Sequence, residues 1–300
     1  MKIDITRAGP LATVQDRGRH GHFADGISAS GPMDAAGFVR AAQLAETAAD
    51  TGLEITMAGI AFTYTGKALK AGFSGGAFTL AINGKPEQWN AAYTLETGDK
   101  IDIKPGPAGN YGYIRFGADL DVPVVIGSRA TNLIVGLGGF EGRALRPGDS
   151  LRLVPASGEI LHAPETPVAP GPEAAIRFVW GIDADRFPAE TLHAFTQSSF
   201  TISTKLDRMG VRLEDRDAVF TNARILSLVS DAIVPGDIQI LGDGTPIVLM
   251  RDHQPTGGYP RIATLISADL DRFAQLRPGT KVQFAPVTIA HAQALMKKAR

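Results

Sequence analysis

Leu95-Glu96-Thr97-Gly98-Asp99-Lys100-Ile101-Asp102-Ile103-Lys104-Pro105 reads as a tight turn that launches a run of alternating apolar and polar residues. The same phrase returns without a gap at Leu145–Pro155 and at Leu276–Pro286, each time as Leu, two residues, Gly, Asp or Thr, an alternating run and Pro. A period of two places every second side chain on one face of a strand, and a proline, lacking an N–H, is expected to end the pairing. Three copies in one chain therefore argue for a mostly β protein.

Further runs point the same way. Phe78, Leu80 and Ile82 alternate up to Asn83-Gly84, the pair expected in a two-residue hairpin turn because both positions need positive φ. Helical signals are fewer. Ser30-Gly31-Pro32 is expected to open a helix whose apolar positions Phe38, Ala41, Ala42 and Ala45 recur at three and four. A second helix is expected from Ser267 as N-cap through Leu270, Phe273 and Ala274, and a third from Thr288 through Ile289, Ala292 and Met296.

The chain has 300 residues, 44% hydrophobic and 20% charged, with Pro164, Pro167, Pro170 and Pro172 interrupting its middle. That predicts an N-terminal β-barrel domain over residues 1–160 and a C-terminal one over 170–300, joined by a linker at about 156–175. A net charge of -1 gives no reason to expect nucleic acid or a membrane surface as partner. No cysteine is present, which removes disulfides, thiolate metal sites and a cysteine nucleophile and suits a cytoplasmic location. No uncharged apolar run approaches the ~18 residues of a membrane span.

Several motifs fall short of the chemistry they suggest. Gly72-Phe73-Ser74-Gly75-Gly76 matches a nucleophile elbow, but an alternating strand follows where a helix is required, so a glycine-rich turn is expected instead. Gly136, Gly138, Gly139 and Gly142 miss the spacing of a dinucleotide loop, and no Walker A sequence occurs. His20 and His22 beside Asp16 and Asp25 would suit a metal only if the loop folded back on itself, so surface or hydrogen-bonded histidines are expected. Two polar loops carry more promise. Gln15-Asp16-Arg17-Gly18-Arg19, with Ser30 and Asp34 downstream, brings amide, carboxylate, guanidinium and hydroxyl together. Arg251-Asp252-His253-Gln254-Pro255-Thr256-Gly257-Gly258-Tyr259-Pro260 follows an apolar run and has paired glycines that allow close approach to a ligand.

These loops belong to an ordered set: Thr13 to Asp16 with Gly18-Arg19, Ser30 to Asp34, Leu53-Glu54, Gly127 to Thr131, Gly138 to Arg143, Asp207 to Gly210 with Arg212-Leu213, Pro235-Gly236 with Ile238-Gln239, and Gln254 to Pro260. The set spans nearly the whole chain and resembles the allophanate hydrolase family of the second-subunit type, also called KipA or PxpC (the C component of 5-oxoprolinase), often labelled biotin-dependent carboxyltransferase. The chain departs from the family pattern at Ala42 to Thr47, Gly181-Ile182-Asp183, Asp215 and Pro255, which bears on substrate more than on fold.

The resemblance implies two cyclophilin-like β-barrel domains with a few short helices, and a hydrolase subunit active only in complex with a KipI/PxpB-type sister subunit and a LamB/YcsF (PxpA)-type protein. The implied reaction opens 5-oxoproline to glutamate with ATP as co-substrate, with Mg, bound at the partner subunit. Two alternatives travel with it. One is the carboxyltransferase component of a biotin-dependent urea carboxylase-like system, with biotin on a separate carrier. The other is a KipA-like regulator that antagonises a KipI-type histidine-kinase inhibitor. Carried onto this chain, Asp16, Arg19, Asp252, His253 and Tyr259 are expected to be catalytic. Gln15, Ser30, Asp34, Arg129, Arg143, Gln254, Thr256, Gly257 and Gly258 are expected to bind substrate, and no metal ligands are assigned.

Overall fold

The structure, a computed structural model, describes residues 1–156, 175–221, 225 and 227–298. The chain divides into two compact units, one of Met1–Gly21 with Ala29–Ala163 and the other of His22–Ser28 with Pro164–Arg300. The linker expected at about 156–175 lies almost wholly outside the described residues. Both units are built on barrel-like sheets, and the four α-helices among the described residues are short: α1 Ala35–Ala45, α2 Ala189–Gln197, α3 Ser267–Ala274 and α4 Ile289–Lys298. Among the described residues no helix is long and apolar enough to cross a membrane.

In the first unit the strand order is Thr13–Gln15, Gly52–Thr56, Lys100–Phe116, Ile60–Thr65, Lys2–Ala8, Ser150–Val154 and Asp119–Leu120. Leu69–Ile82 lies along the long Lys100–Phe116 strand. The inward residues are the alternating ones: Ile3 and Ile5, Phe62 and Tyr64, Ile101 and Ile103, and Leu151 and Leu153 are all buried. Side chains of period two thus fill the barrel, which is the main source of its stability.

All three Leu-to-Pro phrases are turns that lead into strands, as expected, but proline does not end the first of them. Lys100–Phe116 runs straight through Pro105. Its partner pairs Phe78 with Pro105 and Ala77 with Ala108, so Gly106 and Pro107 form a bulge that absorbs the missing N–H. A side chain at Gly106 would strike the carbonyl of Ala77. Asn83 and Gly84 take φ of 54° and 77° and close the hairpin expected of them.

The elbow-like Gly72–Gly76 segment is the middle of strand Leu69–Ile82 rather than a turn, and Ser74 is buried with its hydroxyl donating to Asn90 Oδ1 at 2.9 Å. Gly72 has a packing reason: a Cβ there would collide with the Ala41 carbonyl, so α1 lies directly on the strand. That helix begins at Ala35, later than expected. Asp34 is its N-cap, accepting from the Gly37 N–H at 2.8 Å, while Ser30 and Gly31 hold positive φ in the approach.

In the second unit the order is Lys281–Val282, Phe200–Leu206, Gly210–Glu214, Pro246–Leu249, Asp237–Ile240, Arg261–Leu265, Ile176–Trp180 and Phe284–Pro286. The first and last strands come from one phrase. Val282 pairs with Phe200 at one edge, and Phe284 pairs in parallel with Ile176 at the other. Two positions two residues apart therefore join both edges, and the sheet curls into a barrel. Its core is aromatic: Phe195 stacks on Phe284 at 5.2 Å and meets Phe178 at 5.3 Å and Phe200 at 5.6 Å. α3 spans the residues expected, with Ile266 rather than Ser267 as N-cap, and α4 follows Thr288, whose Oγ accepts from the His291 N–H. α2, entered from Pro188, carries no capping side chain and has only Thr191 and Phe195 buried, so its sequence gives little helical signal.

Candidate functional site

The candidate residues divide between the two units. In the first, strand Thr13–Gln15 ends where the loop Asp16–Arg19 begins. Asp16 Oδ1 accepts from the Gly18 N–H at 2.8 Å and the Ser128 hydroxyl at 2.7 Å, and Oδ2 accepts from the Arg129 N–H at 2.5 Å. One carboxylate thus ties together two loops that are far apart in sequence. Between them opens a cleft of about 360 Å³ lined by Asp16, Arg17, Gly18, Asp50, Val124, Gly127, Ser128 and Arg129. Arg129 donates through Nε to the Val122 carbonyl at 3.3 Å, and among the described residues nothing holds its Nη atoms back from the cleft.

Other expected residues have internal work. Arg19 is 1% exposed, and its guanidinium donates to the carbonyls of Val125, Ser128 and Ala130, so it braces the wall of the cleft from behind. Gln15 is buried, with Nε2 donating to Thr13 Oγ1 and the Thr131 carbonyl. Arg143 grips Asp149 through both Nη atoms at 2.8 and 2.9 Å and Glu141 through Nε at 3.0 Å, with its guanidinium 4.9 Å from the Phe140 ring centroid. Asp149 raises the Arg143 pKa and Arg143 holds Asp149 below the usual carboxylate range. The pair locks the turn of the second Leu-to-Pro phrase, and an anion would have to displace it.

Asp34 is committed to capping α1, and its own N–H donates to Tyr113 Oη at 2.7 Å. Tyr113 in turn donates to Glu54 Oε2 at 3.0 Å, which also accepts from the Met33 N–H at 2.7 Å. Burial, then the charges of Glu54 and Asp34, push the Tyr113 pKa well up, so it stays a donor. This fully buried chain fixes the segment that carries Ser30. Neither Glu54 nor Tyr113 is among the site residues expected from sequence; the signal that points to them is a carboxylate between Leu53 and Ile55 in an otherwise apolar strand.

In the second unit Asp252 forms a bidentate pair with Arg208, at 2.8 and 3.0 Å, with 0% and 3% of the two side chains exposed. A carboxylate so paired is a brace rather than a free base. His253 is 2% exposed, its Nδ1 lies 2.6 Å from the Gln254 carbonyl, and the Phe23 ring centroid lies 5.7 Å from its own. A carbonyl can only accept, so Nδ1 carries the proton. Burial pushes the His253 pKa down and the imidazole stays neutral.

Thr256–Gly257 forms a short ladder with Asp231–Ala232, and Gln254, Thr256 and Tyr259 are exposed. The paired glycines do allow a close approach, but to the chain itself. A Cβ on Gly257 would lie 2.6 Å from Gln239 Nε2, and one on Gly258 would lie 2.8 Å from the Leu228 carbonyl. Arg261, absent from the residues expected at the site, fastens the ladder: it donates to the Ala232 carbonyl, to Asp231 at 3.0 Å and to Asp183 at 3.4 Å. Of the two histidines considered as metal ligands, His20 Nε2 lies 3.1 Å from the Arg17 carbonyl and His22 Nδ1 lies 2.9 Å from Asp25. Among the described residues no group of three or more His, Asp or Glu side chains is arranged to hold a metal.

Comparison with known proteins gives this geometry a context. Residues 25–286 match the family described as carboxyltransferase domain, subdomain A and B. The chain is 32% identical to the C subunit of 5-oxoprolinase from Escherichia coli K12, an alignment that covers 97% of this chain and 93% of that protein. It is 28% identical to urea amidolyase of Lachancea kluyveri over 98% of its own length, but spans only 17% of that protein. The solved structure of the K. lactis urea amidolyase superposes over 99% of this chain and 19% of that one, with a TM-score of 0.87 at 24% identity. At that identity the likeness concerns the fold alone.

Proposed function

The chain belongs to the family of carboxyltransferase domains with subdomains A and B, and from that premise we propose that it is the C subunit of an ATP-dependent 5-oxoprolinase. The observation that carries the proposal is the relation to the C subunit of E. coli 5-oxoprolinase, which extends over 97% of this chain and 93% of its counterpart. The reaction opens 5-oxoproline to glutamate. A five-membered lactam is resonance-stabilised, so its carbonyl needs activation before water attacks, and ATP supplies it by phosphorylating the amide oxygen. This chain's part is to bind and orient the lactam in a polar cleft held rigid by Asp16 and Arg19, with ATP and Mg held at the partner.

The partners we propose are a KipI/PxpB-type sister subunit and a LamB/YcsF (PxpA)-type protein. The three purified proteins, mixed with 5-oxoproline and ATP, are expected to form glutamate and ADP in equal amounts without added biotin, while this chain alone forms none. The match to urea amidolyase favours one second reading, carboxyl transfer from a biotin-bearing carrier to a urea-like amide. Turnover that appears only with a biotinylated carrier selects that reading, and no turnover with any partner set leaves a regulatory, KipA-like role.

A further inference from the structure

The cleft of the first unit has hydrogen-bonding groups left over, and they are not evenly divided between donors and acceptors. Asp16, on its wall, already accepts three hydrogen bonds. Among the described residues the exposed guanidinium of Arg17 has no hydrogen-bond partner and the guanidinium of Arg129 is engaged only through Nε. Against these stands one spare acceptor, the carboxylate of Asp50, which receives no hydrogen bond among the described residues.

Asp50 is also held in place. Its N–H and that of Thr51 donate to Asp119 Oδ1 at 2.8 and 2.9 Å, and Arg115 Nη2 donates to the neighbouring Ala49 carbonyl. Arg115 reaches that carbonyl because its register partner is Gly52, where a Cβ would strike Arg115 Cδ. The guanidinium is fully buried 4.1 Å from the Phe38 ring centroid, with Nε and Nη1 lacking a hydrogen-bond partner among the described residues, and burial lowers its pKa to about 10. A cleft lined by one spare carboxylate on a held segment and by two cationic donors is a preorganised complement to a particular kind of molecule.

We propose that this cleft recognises a small amido acid, its carboxylate between Arg17 and Arg129 and its amide N–H donated to Asp50. The inference rests on the 5-oxoprolinase reading for the identity of the ligand, a lactam acid, and adds the residues that read it. Neither Arg17 nor Asp50 stands among the residues expected from sequence. An open-chain ureido acid offers the same pair of groups, and the assay separates the two.

The experiment is calorimetric titration of the full chain with four probes: 5-oxoproline, 2-pyrrolidinone, which lacks the carboxylate, the lactone 5-oxotetrahydrofuran-2-carboxylate, which lacks the N–H, and ureidoacetate. A hydrogen bond to a charged group is worth roughly tenfold or more in affinity. 5-Oxoproline is expected to bind about tenfold more tightly than pyrrolidinone or the lactone. Arg17→Gln and Arg129→Gln are each expected to weaken 5-oxoproline by about tenfold and leave pyrrolidinone unchanged. Asp50→Ala is expected to abolish the preference for lactam over lactone without weakening the lactone. Ureidoacetate binding as tightly as 5-oxoproline would keep the groups assigned but shift the ligand to the ureido class. Equal binding of 5-oxoproline and pyrrolidinone, wild-type affinity in the three variants, or no binding at millimolar ligand overturns the proposal. If Arg17→Gln and Asp50→Ala leave the assembled complex at full turnover, the cleft assignment fails and the function stands. If the chain binds 5-oxoproline as described but the complex never opens it, the function fails and the cleft stands.

Discussion

His253, expected from sequence to be catalytic, is a buried imidazole, and burial couples its protonation to folding. Its pKa is pushed down by burial, an effect its hydrogen bond to the Gln254 carbonyl and the nearby Asp237 and Asp252 charges only partly oppose. The unfolded chain therefore takes up a proton near ~6.5 while the folded protein still resists it. Between the folded value and ~6.5 the unfolded state binds more protons, so stability is full above that window and is lost as pH falls through it. Asp237 works in the opposite sense: burial raises its pKa, so the folded state binds the extra proton and stability is regained as pH falls toward the ordinary carboxylate value. His253→Gln is expected to remove the loss below pH ~6.5, which thermal melts of variant and wild type between pH 7.5 and 5 would measure. Parallel curves for the two proteins would show that the imidazole titrates freely.

Among elements, the loop from Arg251 to Pro260 admits two readings, a ligand cradle or a packed turn, and the second fits its glycines. Leu228 donates its N–H to the Gly258 carbonyl at 2.6 Å and Ile233 donates to the Pro255 carbonyl at 3.1 Å, so the two strands of loop lie against each other. A methyl group on Gly258 would sit 2.8 Å from the Leu228 carbonyl, and backbone on both sides cannot move aside freely. Gly258→Ala is expected to cost about 1–3 kcal/mol, the usual range for forcing an extra group into a packed site, whereas the exposed Thr256→Ala should stay within about 0.5 kcal/mol. Urea unfolding of both variants checks this. A Gly258→Ala protein as stable as wild type would return the glycine to a ligand-contact role.

For the whole molecule, the Leu276–Pro286 phrase does more than its two counterparts, because its two short strands join opposite edges of the second barrel. Phe284 stands at that joint, 2% exposed and ringed by Phe195 and Phe200. Phe284→Ala is expected to cost about 3–5 kcal/mol, since it both leaves a cavity and loosens the closure. Hydrogen exchange should then rise at both edges, in Ile176–Trp180 and Phe200–Leu206 together. Faster exchange at only one edge would mean that the phrase does not close the sheet.

Much of this architecture was legible in the residues alone. Alternation in Ile101 and Ile103 or Leu151 and Leu153, the Asn83-Gly84 turn and the glycine-aspartate turns before strands are local effects, governed by the sterics of neighbouring residues, and they come out in the fold as read. Family membership was legible too, because its motifs run in order along the chain. The roles of the charged side chains were not. Arg208 and Asp252 stand 44 residues apart, and Asp16 and Ser128 stand 112 apart. Whether a guanidinium faces a cleft, as Arg17 does, or braces carbonyls from behind, as Arg19 does two residues later, depends on which distant segment folds over it. A strand's pattern is set by its own backbone, but a charge takes its partner from the closed barrel, so only the tertiary structure could decide which polar residues remained free to meet a ligand.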